Sequence, residues 1–127
     1  MITKEDILFL HQIAIKEFGG SKELRDEKLL ESAISRPFQT FEGKELYPSP
    51  AEKASALLES IIINHPFVDG NKRTGYLGYR LLLLNSDKDI KATQSEKYDL
   101  VMKIASGEAR YLDIFEWTKS HLISKTK

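Results

Sequence analysis

Apolar residues recur at helical spacing along the first third of the chain. After Thr3, which is a suitable helix cap, a stripe of apolar side chains predicts a first helix that stops at Gly19-Gly20. A second stripe follows Asp26 and ends before Pro37, because proline disfavours helical geometry in the residue before it. The stripes consist of Ile7, Leu10 and Ala14, and of Leu29, Leu30, Ala33 and Ile34.

Two later segments are apolar on most of their circumference. They are AEKASALLESIIIN, residues 51–64, and RTGYLGYRLLLLN, residues 73–85. Helices of this kind belong in the centre of a domain. The first begins at a capping box, Ser49 to Glu52, with proline at the first helical position, and stops at His65-Pro66. The second begins near Asn71.

Two further helices are predicted in the last third of the chain. Thr93 to Glu96 forms another capping box, for a helix ending near Gly107, and a last helix covers about 112–123. Residues 38–47 break the helical period with aromatic and β-forming side chains around Glu42-Gly43, which predicts an extended flap or short hairpin. The predicted fold is one compact all-α domain over residues 1–127, with about six helices and a single extended flap.

Composition excludes several classes of function. The chain has 19 basic and 19 acidic residues and no cysteine, so no overall field favours nucleic acid or membrane, and disulfides and thiolate metal sites are excluded. The amino terminus lacks the features of a signal peptide, and no apolar run is long enough to span a membrane. These features predict a soluble cytoplasmic protein.

The candidate chemistry is concentrated in NHPFVDGNKRT, residues 64–74. Pro66 should keep His65 out of the helix and leave the peptide extended, Phe67 should turn inward to the core, and Asp69-Gly70 should turn the chain into the next helix. That helix would point its free N–H groups over the loop, which is a suitable arrangement for an anion. Lys72 and Arg73 lie in its first turn, where they oppose the helix dipole unless they bind an anion.

Each residue of this loop also has a purely structural interpretation. Asp69 is a potential Mg²⁺ ligand beside phosphates, or simply a helix cap. His65 is a potential general base, or a polar group at a helix end. Asn71 is a further candidate for the cap, and Lys72 and Arg73 are interpretable as solvated charges. A Walker A loop is excluded because GNKRTG lacks its spacing, and no spacing of histidines favours zinc.

The stretch from His65 to Arg73 resembles the signature of the Fic superfamily, H-x-F-x-D/E-G/A-N-G/K-R. More narrowly, it is similar to the death-on-curing (Doc) branch, the toxins of bacterial toxin-antitoxin pairs. FGGSKELRDEKLLESAISRP and FEGKELYPSPAEKASALLESIIINHPF extend the similarity over most of the chain. The resemblance implies a Fic fold and an ATP-dependent transfer onto a protein hydroxyl.

Position 72 bears on the type of transfer that the resemblance implies. Fic enzymes that transfer AMP usually have glycine there, whereas Lys72 is as in Doc, for which the resemblance implies transfer of the γ-phosphate. AMP-transferring members often carry a second arginine three residues after the first, where this chain has Tyr76. The resemblance therefore favours a Doc-like kinase, with a threonine of elongation factor Tu as target and arrest of translation as the outcome. The alternatives are AMP transfer and a catalytically idle binding module of the same fold.

The resemblance also assigns roles to individual residues. It implies that His65 is the base, that Asp69 holds Mg²⁺, and that the ATP phosphates are held by Gly70, Asn71, Lys72 and Arg73. It implies that the flap at 38–47 holds the target beside the site, and that an antitoxin with a partly disordered tail restrains the protein. The inhibitory Ser/Thr-x-x-x-Glu-Gly/Asn motif of Fic proteins is matched only in part, by Ser55 to Glu59, so an internal inhibitor is not expected.

Overall fold

The structure is a computed structural model and describes residues 1–125. Its helices bear out the predicted all-α fold. There are six in this described part of the chain: α1 Lys4–Phe18, α2 Glu27–Ser35, α3 Pro50–Asn64, α4 Asn71–Leu84, α5 Gln94–Ser106 and α6 Tyr111–His121.

Side-chain caps explain where four of these helices begin, and those at Thr3, Ser49 and Thr93 were predicted. Thr3, Asp26, Ser49 and Thr93 each accept a hydrogen bond from a backbone N–H in the first turn of α1, α2, α3 and α5. These bonds satisfy donors that a helix start leaves without partners. Gly19 and Gly107 terminate α1 and α5 with positive φ, as predicted.

The antiparallel pair α3 and α4 forms the centre of the molecule. α3 is buried almost continuously from Ala54 to Ile62. α4 packs along it and also contacts α1 closely at Gly78, where an added Cβ would lie 2.9 Å from Cδ1 of Ile7. This close packing fixes both ends of the loop 65–70 that joins the two helices.

The extended segments only partly match the prediction. The expected hairpin is present as β1 Thr40–Phe41 and β2 Lys44–Glu45, with Thr40 opposite Glu45. A second antiparallel pair, β3 Lys88–Ile90 and β4 Leu122–Ser124, was not predicted. The last helix therefore ends at His121, not Ile123, because Leu122 to Ser124 pair with β3. Strand segments of three residues are too short to show a period of two.

The hairpin lies at the amino-terminal end of α3. Lys53, in the first turns of α3, forms an ion pair with Glu45 and donates to the carbonyl of Tyr47. Glu45 and Lys53 line a small cavity of about 240 Å³. Met1 and Asn85, the residue that follows α4, line it as well.

No helix within residues 1–125 is both long enough and apolar enough to cross a bilayer.

Candidate active site

The loop between α3 and α4 begins with a strained histidine. His65 ends α3 with φ 51° and ψ 54°, so it is left-handed and not extended as predicted. Its N–H still donates to the carbonyl of Ile61, which holds it to the helix end. Arg25 donates to the carbonyls of His65 and Asn64 at 2.7 and 2.9 Å. These bonds to the last carbonyls offset the cost of a left-handed non-glycine residue.

The middle of the loop is held by the segment between α1 and α2. Phe67 is fully buried, as predicted, and its ring stacks on His11 with 3.8 Å between centroids. The N–H groups of Arg25 and Asp26 donate to the carbonyl of Pro66, and the N–H of Val68 donates to the carbonyl of Glu23. The middle of the loop is thus fixed through its backbone and the Phe67 ring.

The side chain of Asn71 holds the loop together from within. Its Oδ1 accepts from the N–H of Phe67 at 2.9 Å, and its Nδ2 donates to the carbonyl of Phe67 at 2.8 Å. The second hydrogen of Nδ2 points to Nδ1 of His65, 2.7 Å away. With 4% of its surface exposed, this side chain is engaged inside the loop, and its backbone N–H is the group left for a phosphate.

This network assigns the tautomer of His65. The two contacts with Phe67 fix which end of the Asn71 amide is the donor. In the opposite orientation the NH₂ group would face the N–H of Phe67 and the amide oxygen would face its carbonyl, so that neither pair could form a hydrogen bond. Nδ1 of His65 must then be the acceptor, and in the neutral ring the proton lies on Nε2.

Asp69 is held from outside the loop. Its Oδ2 accepts from the N–H of Ser21 at 2.7 Å, and its carbonyl accepts from Nε2 of His11 at 2.8 Å. The carboxylate is therefore not the cap of α4, and Oδ1 is left for another ligand. No group of three or more acidic or histidine side chains suited to a metal occurs in residues 1–125. A single carboxylate fits Mg²⁺ that takes its other ligands from phosphates and water, the usual situation at nucleotide sites.

α4 begins without a side-chain cap among the described residues. Gly70 occupies the cap position with φ 81°, and neither Asp69 nor Asn71 bonds to the first turn, so both capping interpretations are wrong. Lys72 and Arg73 are exposed, and neither forms an ion pair with any residue from 1 to 125. The guanidinium carbon of Arg73 lies 3.5 Å from the centre of the Phe18 ring. The helix start thus combines free N–H groups with two cations that have no acidic partner in this part of the chain.

A cavity of about 520 Å³ lies over this helix start. Its wall contains every residue predicted for the site, and apolar residues of α3, the loop and α5 complete it. The predicted residues are His65, Asp69, Gly70, Asn71, Lys72 and Arg73, and the apolar ones are Ile62, Ile63, Val68 and Ala105.

The hairpin does not lie where the resemblance implied. No residue of 38–47 lines this cavity. The hairpin contacts Lys53 near the start of α3, whereas His65 follows the end of this helix. The 12-residue separation from Lys53 to His65 corresponds to about 18 Å along the helix axis. The expectation that the hairpin lies beside the site is therefore not met in this structure.

The partial match to an inhibitory motif has a structural explanation. Glu59 is buried and binds Arg36 at 2.8 Å, with Arg110 at 3.5 Å on its other oxygen. Ser55 donates to the carbonyl of Ala51 within α3. Glu59 is thus held by Arg36 and Arg110, and no ion pair joins it to Arg73 within residues 1–125.

The residues that support the site from α1 and the loop after it were not predicted from the sequence. Four residues contact the loop or Arg73, whereas the residue pattern predicted only a helix stop at Gly19-Gly20. They are His11, Phe18, Gly20 and Ser21. One signal was available. A single glycine suffices to end a helix, and the second one, Gly20, lies where an added Cβ would be 3.0 Å from Cβ of Asp69.

Comparison with known proteins agrees with this geometry. The model of the Fic/DOC family matches residues 1–83, which include the whole loop and most of α4. The chain is also 45% identical over 75 residues to the protein named Toxin Doc from Mycolicibacterium smegmatis (strain ATCC 700084 / mc(2)155). That match covers 59% of this chain and 55% of the relative, so it spans about half the length of the relative. The family match covers well over half of the chain, which therefore belongs to the Fic/DOC family, on its Doc branch.

Proposed function

We propose that this protein is a Doc-like toxin that transfers the γ-phosphate of ATP to a protein hydroxyl. The observation that carries the proposal is the start of α4. Free N–H groups, Lys72 and Arg73 face a cavity that His65 and Asp69 also line, and no acidic partner for the two cations exists in residues 1–125. A polyphosphate supplies the negative charge that this arrangement otherwise lacks.

The two cations and the backbone hold the phosphates in this proposal. Arg73 grips phosphate oxygens with two N–H groups, and Lys72 adds a point charge. The N–H groups at Gly70 and Asn71 complete the cradle, without the Asn71 side chain. Mg²⁺, held by Oδ1 of Asp69, would neutralise charge on the phosphates.

His65 takes the proton of the target hydroxyl. The hydroxyl oxygen bonds to the γ-phosphorus, the bond to the β,γ-bridging oxygen breaks, and ADP leaves. In the free protein Asn71 occupies Nδ1 of His65, so the amide must be displaced from Nδ1 before the ring accepts a proton there. Nitrogen NMR of the free protein, with the His65 ring in its neutral form, checks this step. A proton on Nδ1 instead of Nε2 would contradict it.

Transfer of phosphate is preferred to transfer of AMP because of two positions. Lys72 fills the place where AMP-transferring members usually have glycine. Tyr76 stands at the position of their second arginine, where it is half-buried against Tyr79, and burial raises the pKa of Tyr76 to about 12. A phenol carries no positive charge, so Tyr76 supplies no second cation, and its raised pKa also keeps it from adding a negative charge.

The proposed target is a threonine of elongation factor Tu, with arrest of translation as the consequence, and the proposed restraint is an antitoxin. Both follow from the family resemblance. A single domain over residues 1–127 is proposed to carry the activity in the cytoplasm.

The test uses ATP labelled at either the α- or the γ-phosphate. We expect a target protein to retain label from the γ-position, and mass spectrometry to find a phosphoryl group on it. His65→Ala should abolish labelling, while the control His121→Ala, on α6 and outside the cavity, should not. Retention of α-label would establish AMP transfer, and growth arrest that persists in His65→Ala would establish a binding module.

A further inference from the structure

The carboxyl-terminal end of α1 contacts both charged groups of the site. Phe18, the last residue of α1, lies under the guanidinium of Arg73, and Ser21, three residues later, donates its N–H to Asp69. We call Phe18–Ser21 the α1 terminal segment. We propose that this segment positions Arg73 and Asp69 relative to each other, so that the phosphate and metal ligands of the proposed function are set before a nucleotide binds.

The contact with Phe18 suits a positioning role. A guanidinium that stacks through its face keeps its N–H groups, which lie in its plane, free to donate. With 57% of its surface exposed, the ring is not placed by the demands of the core. The Phe18 ring therefore restricts the long side chain of Arg73 without competing for the N–H donors that would bind phosphate.

The contact with Asp69 uses the backbone and leaves little freedom. The N–H of Ser21 binds Oδ2 at 2.7 Å, so one oxygen of the carboxylate is held by the segment. Gly20 lies against the same side chain, since an added Cβ would be 3.0 Å from Cβ and 3.2 Å from Oδ2 of Asp69. On the other side, His11 of α1 holds the carbonyl of Asp69 at 2.8 Å. Asp69 is thus held at its backbone carbonyl by α1 and at its carboxylate by the α1 terminal segment.

The neighbouring glycine provides a matched control. Gly19 and Gly20 both have positive φ, 81° and 112°, so alanine strains the backbone at either position. An added Cβ at Gly19 would have no atom within 4 Å, whereas at Gly20 it would press on Asp69. The difference between Gly19→Ala and Gly20→Ala therefore reports the contact with Asp69.

The experiment measures ATP binding by calorimetry with and without Mg²⁺, in the absence of a protein target. Phe18→Leu should weaken ATP binding about two- to fivefold, as expected for an exposed cation–π contact, while Phe18→Tyr should bind like the unchanged protein. Gly20→Ala should reduce the gain in affinity that Mg²⁺ brings by about tenfold relative to Gly19→Ala, near the lower end of a lost bond to a charged group. Melting curves followed by circular dichroism confirm that each variant is folded.

The outcomes separate this inference from the function on which it rests. If the unchanged protein fails to bind ATP, the proposed function fails. If it binds ATP, but Phe18→Leu binds equally well or Gly20→Ala responds to Mg²⁺ like Gly19→Ala, the positioning role is overturned. Equal weakening by Phe18→Leu and Phe18→Tyr would also overturn it, because the tyrosine keeps the aromatic face.

Discussion

The starts of α3 and α4 belong to two helices that pack side by side, yet they are built in opposite ways. α3 begins with a reciprocal capping box between Ser49 and Glu52, with Pro50 at its first position and an acid in its first turn. α4 begins at a left-handed glycine, has no side-chain cap within the described residues, and carries Lys72 and Arg73 in its first turn. The first start satisfies its own donors, and the second leaves them free.

The difference shows where the stability of each start comes from. The start of α3 is stabilised locally, by residues within four positions of one another. The start of α4 is held by distant residues, since the loop before it bonds to His11, Ser21 and the backbone of Arg25. Support from a distance lets the helix start keep unpaired donors and cations, which is what an anion site requires.

Replacing Arg73 should produce the largest effect on the proposed function. We expect Arg73→Gln to weaken binding of Mg·ATP roughly 10- to 100-fold, because a hydrogen bond to a charged group contributes about 1.5–3 kcal/mol. The affinity of Arg73→Lys for Mg·ATP should lie between those of the unchanged protein and Arg73→Gln, since lysine keeps the charge but loses the paired donors. Calorimetry measures both. Unchanged affinity for Mg·ATP in Arg73→Gln would contradict the proposal that the start of α4 binds phosphate.

Replacing Ser49 should have the opposite pattern. Ser49→Ala removes the cap of α3 and should lower the free energy of unfolding by about 1 kcal/mol, or the melting temperature by about 3–5 °C. Ser49→Asp should retain stability because aspartate caps equally well. Mg·ATP binding should not change in either variant, since Ser49 lies at the far end of α3 from the cavity. Weaker binding in Ser49→Ala would show that the two ends are coupled.

The sequence predicted those structural features that depend on residues close together in the chain. The predicted caps at Thr3, Ser49 and Thr93 are confirmed, and Asp26 caps the helix that was predicted to start there. Each of these bonds joins residues only three positions apart. The short pair β3 and β4 was missed because its strands lie more than thirty residues apart and contain only three residues each.

The candidate site shows the same division. The loop residues were found because the cations and the turn are adjacent in sequence. The left-handed His65 was missed because its geometry depends on Arg25, forty positions earlier. The engagement of Asn71 with His65 and the support of Asp69 by Ser21 likewise depend on the folded path of the loop.

The smallest expected effect tests whether Lys72 destabilises the protein when no nucleotide is bound. Lys72 lies in the first turn of α4 without an ion pair in residues 1–125, so its charge opposes the helix dipole. We expect Lys72→Gln to raise the free energy of unfolding by about 0.3–1 kcal/mol at low salt while it weakens Mg·ATP binding. Lys103→Gln is the matched control, because Lys103 lies in the last turn of α5, where a cation is favourable, and its loss should lower stability by a similar amount. Both differences should shrink in high salt, since exposed charges are screened. Denaturation in urea with and without salt measures them, and a loss of stability in Lys72→Gln would mean that the free protein already satisfies this cation and that no anion is needed to explain it.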